Sequence, residues 1–566
     1  MGNFLSIVCC INNNEITKNS NYTRSVENTM EKNTSRLKSE KEKLPISQIK
    51  FKSEEDNSDL PITSKNIILK KEGSPLIDYE IISQLGEGTY GKVYKVKNKH
   101  NNIYRAMKQI NKNYISERIR NKIMEEIKIL KDLNYIYIIK LYEYYVTDKH
   151  LYLINELSNE GDLQNKLEKL KIFPEFIVKV IMFQIFKALR FLNEKNIIHG
   201  DLKLENILVI SYNEDNSKKN INKKEDGFIE AIKHDMEIIN ENKKKNNEDI
   251  NDNELQIYNY GIKLIDFGCS KIFTRTKKNF SDIIGTLVYC SPEVLYGEYN
   301  KSCDIWSCGV IMYYLLSGRF PFEGENQEEI INKIYESKFD FNKKYFNDIS
   351  EEAKDLISKC LKNQPLKRIT IEEALNHKFF DDVKKARKIT ELEKKHLKNL
   401  KKLGKKTKFY QLVLTYLSYH FSDNKILNEI NQLYEKLDKN IDYKISKSEL
   451  YKAYKEANIK IKSKELSNII NSMDFNDNGD IDYEEFVRMC IPKEKLFTEE
   501  NLENAFLMFD NDKKGFITPK KIIGFIESNQ EINENLKSQI EKEIIDLADE
   551  IIDINGFKDF IMNLSN

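Results

Sequence analysis

Gly86, Glu87, Gly88 and Gly91 form a glycine-rich turn whose backbone N–H groups can approach phosphate oxygens, because no Cβ stands in the way. A dinucleotide-binding loop shares that spacing, but such a loop opens a helix. Here Gly91–Val96 alternates like a second strand, with Val93 on it. Ala106 and Lys108 close the next strand-like run, and Glu126 lies in a helix-patterned segment. A lysine can anchor phosphates and a helix glutamate can hold it in place, although each alone is an ordinary solvated charge.

Metal chemistry is written farther along. Asp474, Asn476, Asn478, Asp480, Asp482 and Glu485 fall at positions 1, 3, 5, 7, 9 and 12 of a twelve-residue EF-hand calcium loop, position 7 using its backbone carbonyl. Gly479 stands at position 6, where a sharp positive-φ turn is needed. An earlier loop keeps Asp438, Asn440, Asp442, Lys444 (backbone), Ser446 and Glu449, but has Tyr443 in place of the glycine. A non-glycine residue in that conformation costs about 1–2 kcal/mol, so this site is expected to be weakened. Asp438, Asp474, Asp510 and Asp546 recur every 36 residues between helix-patterned segments. The third loop places Lys514 and Lys521 at positions 5 and 12, and the fourth places Ala548 and Phe557 at ligand positions; both are expected to be silent.

These sites need elements to carry them. The chain has 566 residues, 40% of them apolar, with 91 basic and 90 acidic residues, so no net charge points to nucleic acid. Its eight cysteines have no CxxC spacing, which fits a reducing cytoplasmic setting, and no secretory signal pattern opens the chain. Residues 11–74 and 211–260 are rich in Asn, Lys and Glu and read as disordered, the first an arm and the second a loop insertion. A basic stretch spans 382–425, and Leu397–Leu412 within it reads as an amphipathic helix that the hands can grip.

His199-Gly200-Asp201-Leu202-Lys203-Leu204-Glu205-Asn206 and Asp266-Phe267-Gly268 resemble the HRDLKPEN and DFG motifs of the protein kinase superfamily. Gly285-Thr286, Tyr289, Pro292-Glu293, the run Asp304–Gly309 and Arg368 continue the resemblance. It implies an α+β bilobal kinase fold over 79–380, with a β-rich N-lobe and a helical C-lobe, followed by an all-α EF-hand domain. It also implies that Asp201 orients the substrate hydroxyl, Lys203 steadies the phosphoryl group, and Asn206 and Asp266 hold magnesium. Lys108, paired with Glu126, would hold the ATP phosphates. Glu156 and Leu157 align with the adenine hinge, and Asn155 with the gatekeeper. Asp162 and Glu205 align with residues that favour basic substrates, and Lys203 fits the serine/threonine branch. Gly200 replaces the usual arginine, so activation-loop phosphorylation is not expected to be the main switch, although Thr274, Thr276 and Ser281 are available; Leu204 replaces a proline.

Kinase, basic junction (381–425) and hands (426–566) in this order resemble the calcium-dependent protein kinases of plants and protists. That resemblance implies a junction that blocks the kinase until calcium reorganises the hands. It implies ATP, Mg2+ and Ca2+ as ligands, protein serines and threonines as substrates, and an expected monomer. Gly2 fits an N-myristoylation pattern and Cys9 and Cys10 could take palmitate, so a membrane-associated cytoplasmic protein is expected. The rivals are a calcium-sensing pseudokinase or scaffold and a calcium-independent kinase with vestigial hands.

Overall fold

A computed structural model describes residues 64–88, 91–158, 160–212, 226–244, 259–274, 280, 284–384, 389–401, 407–421, 423–475, 478–510, 512–529, 534–545 and 551–565. They fall into two compact units. One takes in Glu160–Ile210 and Glu225–Lys385, the other Asn57–Asn159, Ser211–Lys224 and Ala386–Asn566.

The second unit contains the N-lobe, a six-stranded sheet in the order β1-β5-β6-β4-β3-β2. Its strands are β1 (Leu69–Glu72), β2 (Tyr79–Gly88), β3 (Gly91–Asn98), β4 (Tyr104–Asn111), β5 (Leu141–Val146) and β6 (His150–Asn155), and helix α1 (Glu117–Lys131) follows β4. Tyr79, Val96, Met107, Tyr145 and Ile154 make a buried cluster on the sheet. β2 and β3 pair as far as Gly88 opposite Gly91, so the glycines form a hairpin end, as the alternation of Gly91–Val96 requires.

β1 corrects the reading of residues 11–74 as disordered throughout. It runs parallel to β5 at the sheet edge, and Ile67 and Ile68 just before it are fully buried. Lys71 reaches Glu143 at 2.8 Å and Asp78 at 3.0 Å, while Tyr79 donates to Glu143 at 2.6 Å. Leu69 is its one apolar residue, and Glu143, which receives Lys71, lies far along the chain.

The other unit is the helical C-lobe. It holds α2 (Leu163–Leu170), α3 (Glu175–Glu194), β7 (Ile197–Ile198), β8 (Ile207–Ser211), α4 (Gly227–Lys244), β9 (Tyr260–Leu264), β10 (Lys271–Ile272) and α5 (Ser302–Ser317). α3 and α5 are apolar around most of their circumference and pack together at its centre.

α4 corrects the reading of 211–260 as uniformly disordered. Phe228, Ile229, Ala231 and Ile232 are buried, and the Phe228 ring lies 5.3 Å from that of Tyr260 and 6.4 Å from that of Phe173. The buried Lys166 ammonium pairs with Asp226 and, at 3.2 Å, with Glu160. A helical apolar spacing was present, diluted by the Asn and Lys around it.

The junction and the hands belong to the same unit as the N-lobe. Among the described residues the junction carries a short helix at Asp381–Lys384 and two longer ones, α6 (Glu391–Leu400) and α7 (Lys408–Phe421), so the single helix expected over Leu397–Leu412 ends at Leu400 and another begins at Lys408. The hands follow as α8 (Asn424–Leu437), β11 (Lys444–Ile445), α9 (Lys447–Glu456), α10 (Ser463–Met473), β12 (Ile481–Asp482) and α11 (Tyr483–Cys490), then α12 (Glu499–Phe509), β13 (Phe516–Ile517), α13 (Pro519–Asn529), α14 (Glu534–Ile545), β14 (Ile552–Asp553) and α15 (Ile554–Ser565). β11 pairs with β12, and β13 with β14, each antiparallel. Among the described residues no helix is long and apolar enough to cross a membrane.

Candidate active site and calcium loops

In the C-lobe, the loop between β7 and β8 gathers the charged residues. Asp304, buried at the start of α5, accepts the backbone N–H groups of His199 and Gly200, each at 2.9 Å, and so fixes the turn. Gly200 holds φ +80°, and a Cβ there would come within 2.8 Å of the Cys269 carbonyl oxygen. A glycine suits this backbone, which an arginine would strain. The next residue, Asp201, is buried, and its Oδ1 accepts from the Thr286 hydroxyl at 3.0 Å. Its Oδ2 faces Lys203 Nζ at 2.9 Å and Asn206 Nδ2 at 3.1 Å. Lys203 also donates to Thr286 at 3.0 Å, closing a small ring of contacts around the carboxylate.

Asn206 Nδ2 also binds the Asp201 carbonyl at 2.8 Å, which turns its amide oxygen away from Asp201. Asp266 sits in a left-handed conformation at φ +62°, just after Ile265, whose N–H donates to the Asn206 carbonyl at 3.0 Å. An amide oxygen and a carboxylate are hard donors of the kind magnesium takes. Arg368 grips Glu293 through both guanidinium ends, one at 2.9 Å. Thr286 and Asp304 lay within motifs already recognised, but nothing in the linear pattern revealed that they clamp Asp201 and its turn. Asp162 caps α2, accepting from Asn165 N–H at 2.8 Å, while Glu205 is exposed.

In the N-lobe, Lys108 on β4 pairs across the sheet with Val93 and Leu153, and Ala106 pairs with Asn155. Register partners and alternate residues share a face, so Val93, Ala106, Lys108 and Asn155 lie on one side of the sheet. Lys108 Nζ stands 3.6 Å from the buried Glu126 carboxylate on α1. The Asn155 amide oxygen is buried without a hydrogen-bond partner among the described residues. Glu156 N–H binds the Lys140 carbonyl at 2.9 Å, and Leu157 is buried beside it. Gly86, Glu87 and Gly88 end β2, and Gly91 opens β3.

The second calcium loop is organised around Asp474. Its Oδ1 accepts from Asn478 N–H at 3.0 Å and its Oδ2 from Gly479 N–H at 2.7 Å, with Gly479 at φ +87°. Asn478 Oδ1 accepts from Asp480 N–H at 2.9 Å. Glu485 accepts from Phe475 N–H at 2.8 Å and from Asp482 N–H at 3.0 Å; burial, and next the neighbouring Asp482, push its carboxyl well above the usual range. Asn476 lies outside the described residues, as do Gly2, Cys9, Cys10, Thr276, Ser281, Asp546 and Ala548.

The first loop reproduces this frame. Asp438 accepts from Asp442 and Tyr443 N–H groups, each at 3.0 Å, and Asn440 Nδ2 donates to Asp442 at 2.9 Å. Lys444 N–H binds Asp442 at 3.0 Å, and Ser446 with Glu449 forms a capping box. Tyr443 takes the positive φ of the missing glycine, +59°, with its ring buried 5.4 Å from that of Tyr135. Burial, and next Asp442, push the Asp438 carboxyl up to about 7.

The third loop keeps the same turn, with Gly515 N–H donating to Asp510 at 2.8 Å. The Lys521 ammonium, however, meets Asp510 and the Phe516 carbonyl oxygen, each at 2.8 Å, and also meets Asp512. In the fourth hand Phe557 is fully buried. α7 is not amphipathic in use: every residue from Phe409 to Tyr419 is buried. Phe409 packs against Phe509, Phe557 and Phe560, while at the other end Tyr419 donates to the Leu141 carbonyl at 2.9 Å and Arg105 donates to the His420 carbonyl at 2.8 Å.

A protein kinase domain matches residues 79–380, and an EF-hand domain pair matches 427–491. Calcium-dependent protein kinase 4 of Plasmodium falciparum is 31% identical over 522 residues, covering 89% of both chains. Calcium-dependent protein kinase 5 of the same organism is 34% identical over 468 residues, 81% of this chain and 74% of that protein. Calcium-dependent protein kinase 3 of Plasmodium berghei is 30% identical over 477 residues, 81% of this chain and 77% of that protein. With the kinase motifs assembled as folded clusters and the paired calcium loops behind them, the chain belongs to the calcium-dependent protein kinases.

Proposed function

We propose that this protein is a serine/threonine kinase switched on by calcium at its first pair of hands. Asp201 orients and accepts the proton of the substrate hydroxyl, Lys203 steadies the transferring phosphoryl group, and Thr286 holds both side chains in register. Asn206 and Asp266 would hold the magnesium that accompanies ATP, Lys108 the α/β-phosphates, and the backbone at Glu156 and Leu157 the adenine. The observation that carries this reading is the closed ring of Asp201, Lys203 and Thr286, which a pseudokinase has no reason to keep. Glu205 and Asp162 favour basic residues near the target hydroxyl, so a basic serine peptide is the preferred substrate.

The loops Asp474–Glu485 and Asp438–Glu449 bind calcium. α7, held between the hands and the N-lobe, supports a released junction that no longer blocks the kinase. Titrating peptide phosphorylation against free calcium tests the switch. Asp201→Asn should lower kcat by about 10²–10⁴-fold at every calcium level, since general-base catalysis is worth that much. Glu485→Gln should shift the activation curve to higher calcium. Equal rates in calcium and chelator would sink the regulatory claim, and an active Asp201→Asn variant would sink the catalytic one. Acylation at Gly2, with Cys9 or Cys10 as a second anchor, would hold the kinase at a membrane; Gly2→Ala should then move it to the soluble fraction, and an unchanged distribution rejects this.

A further inference from the structure

The third hand has lost its glutamate at position 12, yet its loop is not slack. Asp510 holds the turn through Lys514 N–H at 3.1 Å and Gly515 N–H at 2.8 Å, the same two bonds that Asp474 makes in the second loop at 3.0 and 2.7 Å. Its strand β13 pairs with β14 of the fourth hand. Inside the loop, the oxygens at positions 1, 3 and 7 all converge on one group, the Lys521 ammonium, which binds Asp510, Asp512 and the Phe516 carbonyl. In an ion-binding loop those three positions face the cation. Lys514 adds a second positive charge at Asp512, at 3.0 Å.

We infer that Lys521 is a tethered substitute for the ion, and that the third and fourth hands are therefore a calcium-independent clamp on α7. The ammonium carries one charge where calcium carries two. It is supplied by the chain itself, so its local concentration does not vary with the medium. A compact cation on a long flexible stem can reach three oxygens from position 12, whereas the guanidinium of an arginine is a planar fork.

The clamp is visible in what this hand pair holds. Phe409 of α7 is fully buried among Phe509 of the third hand and Phe557 and Phe560 of the fourth, at ring separations of 5.7, 6.2 and 5.7 Å. Glu543 on α14 accepts the N–H groups of Lys408 and Phe409, at 3.0 and 2.9 Å, and caps the first turn of α7. A carboxylate at a helix N-terminus satisfies free donors and opposes the helix dipole favourably. None of these contacts involves a calcium ligand. The inference rests on the regulatory reading only in leaving calcium response to the first hand pair.

Amide hydrogen exchange on the full-length protein tests this without any kinase assay, so it can fail while calcium activation stands. Protection of Phe409–Val413 should be the same in calcium and in chelator. Lys521→Met should lower that protection at least about tenfold in chelator, and calcium should not restore it, because the local opening free energy falls. Should Lys521→Met fail to fold, Lys521→Glu combined with Lys514→Asp rebuilds an ion loop, and its protection should become calcium-dependent with one more calcium bound per chain. The inference is overturned if wild-type protection at Phe409–Val413 falls on chelation. It is equally overturned if folded Lys521→Met keeps full protection in chelator, or if the double variant shows no calcium dependence.

Discussion

Tyr443 combines a backbone angle that its Cβ resists with a burial that its ring needs. At φ +59° it carries a strain of about 1–2 kcal/mol. Its ring contributes to a cluster with Tyr135, which in turn contacts Tyr137 at 5.4 Å and Tyr483 at 5.0 Å. Truncating a buried aromatic typically costs about 3–5 kcal/mol, so the packing wins. Tyr443→Gly should relax the loop and raise its calcium affinity, yet destabilise the protein by about 1–4 kcal/mol in urea unfolding. A more stable variant would mean that the ring contributes less than the strain it imposes. The strain was legible in the sequence, because position 6 of a calcium loop has a fixed geometry. The compensation was not, because Tyr135 lies three hundred residues away in the chain.

Asp438 carries a related prediction. Its carboxyl is raised to about 7 by burial, with Asp442 adding to it, while an unfolded aspartate titrates near about 3.9. Its contribution to the calcium-free fold is therefore complete below the unfolded value and is lost as pH rises through about 7. Calcium needs the ionised form, so binding to this loop should strengthen between pH 6 and 8, by up to about tenfold per pH unit for one displaced proton. Calorimetry in buffers of different ionisation enthalpy should register that proton release; its absence would place Asp438 among ordinary carboxylates.

Among the elements, β1 is the clearest case of a structure that local reading could not reach. Leu69–Glu72 is mostly charged, and it becomes a strand because β5 offers an open edge and Glu143 and Asp78 receive Lys71. Ile68→Ala, at a fully buried position, should destabilise the chain by about 2–4 kcal/mol, measured by thermal unfolding. A neutral result would show that β1 merely rests on the sheet. The hairpin of β2 and β3, by contrast, was readable from strict alternation after the glycines. So was the loop Asp201–Asn206, whose mutually bonded residues are contiguous. α4 has the periodicity of a helix but sits in a composition that argues for disorder, and Leu397–Leu412 reads as an amphipathic helix for the hands to grip, whereas α7 is buried on all faces from Phe409 to Tyr419.

At the scale of the molecule, the same order of kinase, junction and hands that the sequence displays is spread over two compact units, with the N-lobe, junction and hands sharing one of them. The four repeats spaced by 36 residues are not four equal sensors: two keep oxygen ligands, one holds its own lysine, and one has a buried phenylalanine. The burial of α7 on every side has a kinetic meaning. A free peptide of the same sequence cannot displace it by simple competition, since no part of the binding surface is open while α7 remains in place. Exchange would proceed only as fast as the intramolecular helix vacates, and adding more peptide beyond that point would not hasten it. The residence time of its eleven buried residues, more than their affinity, would then set how quickly an added peptide is taken up.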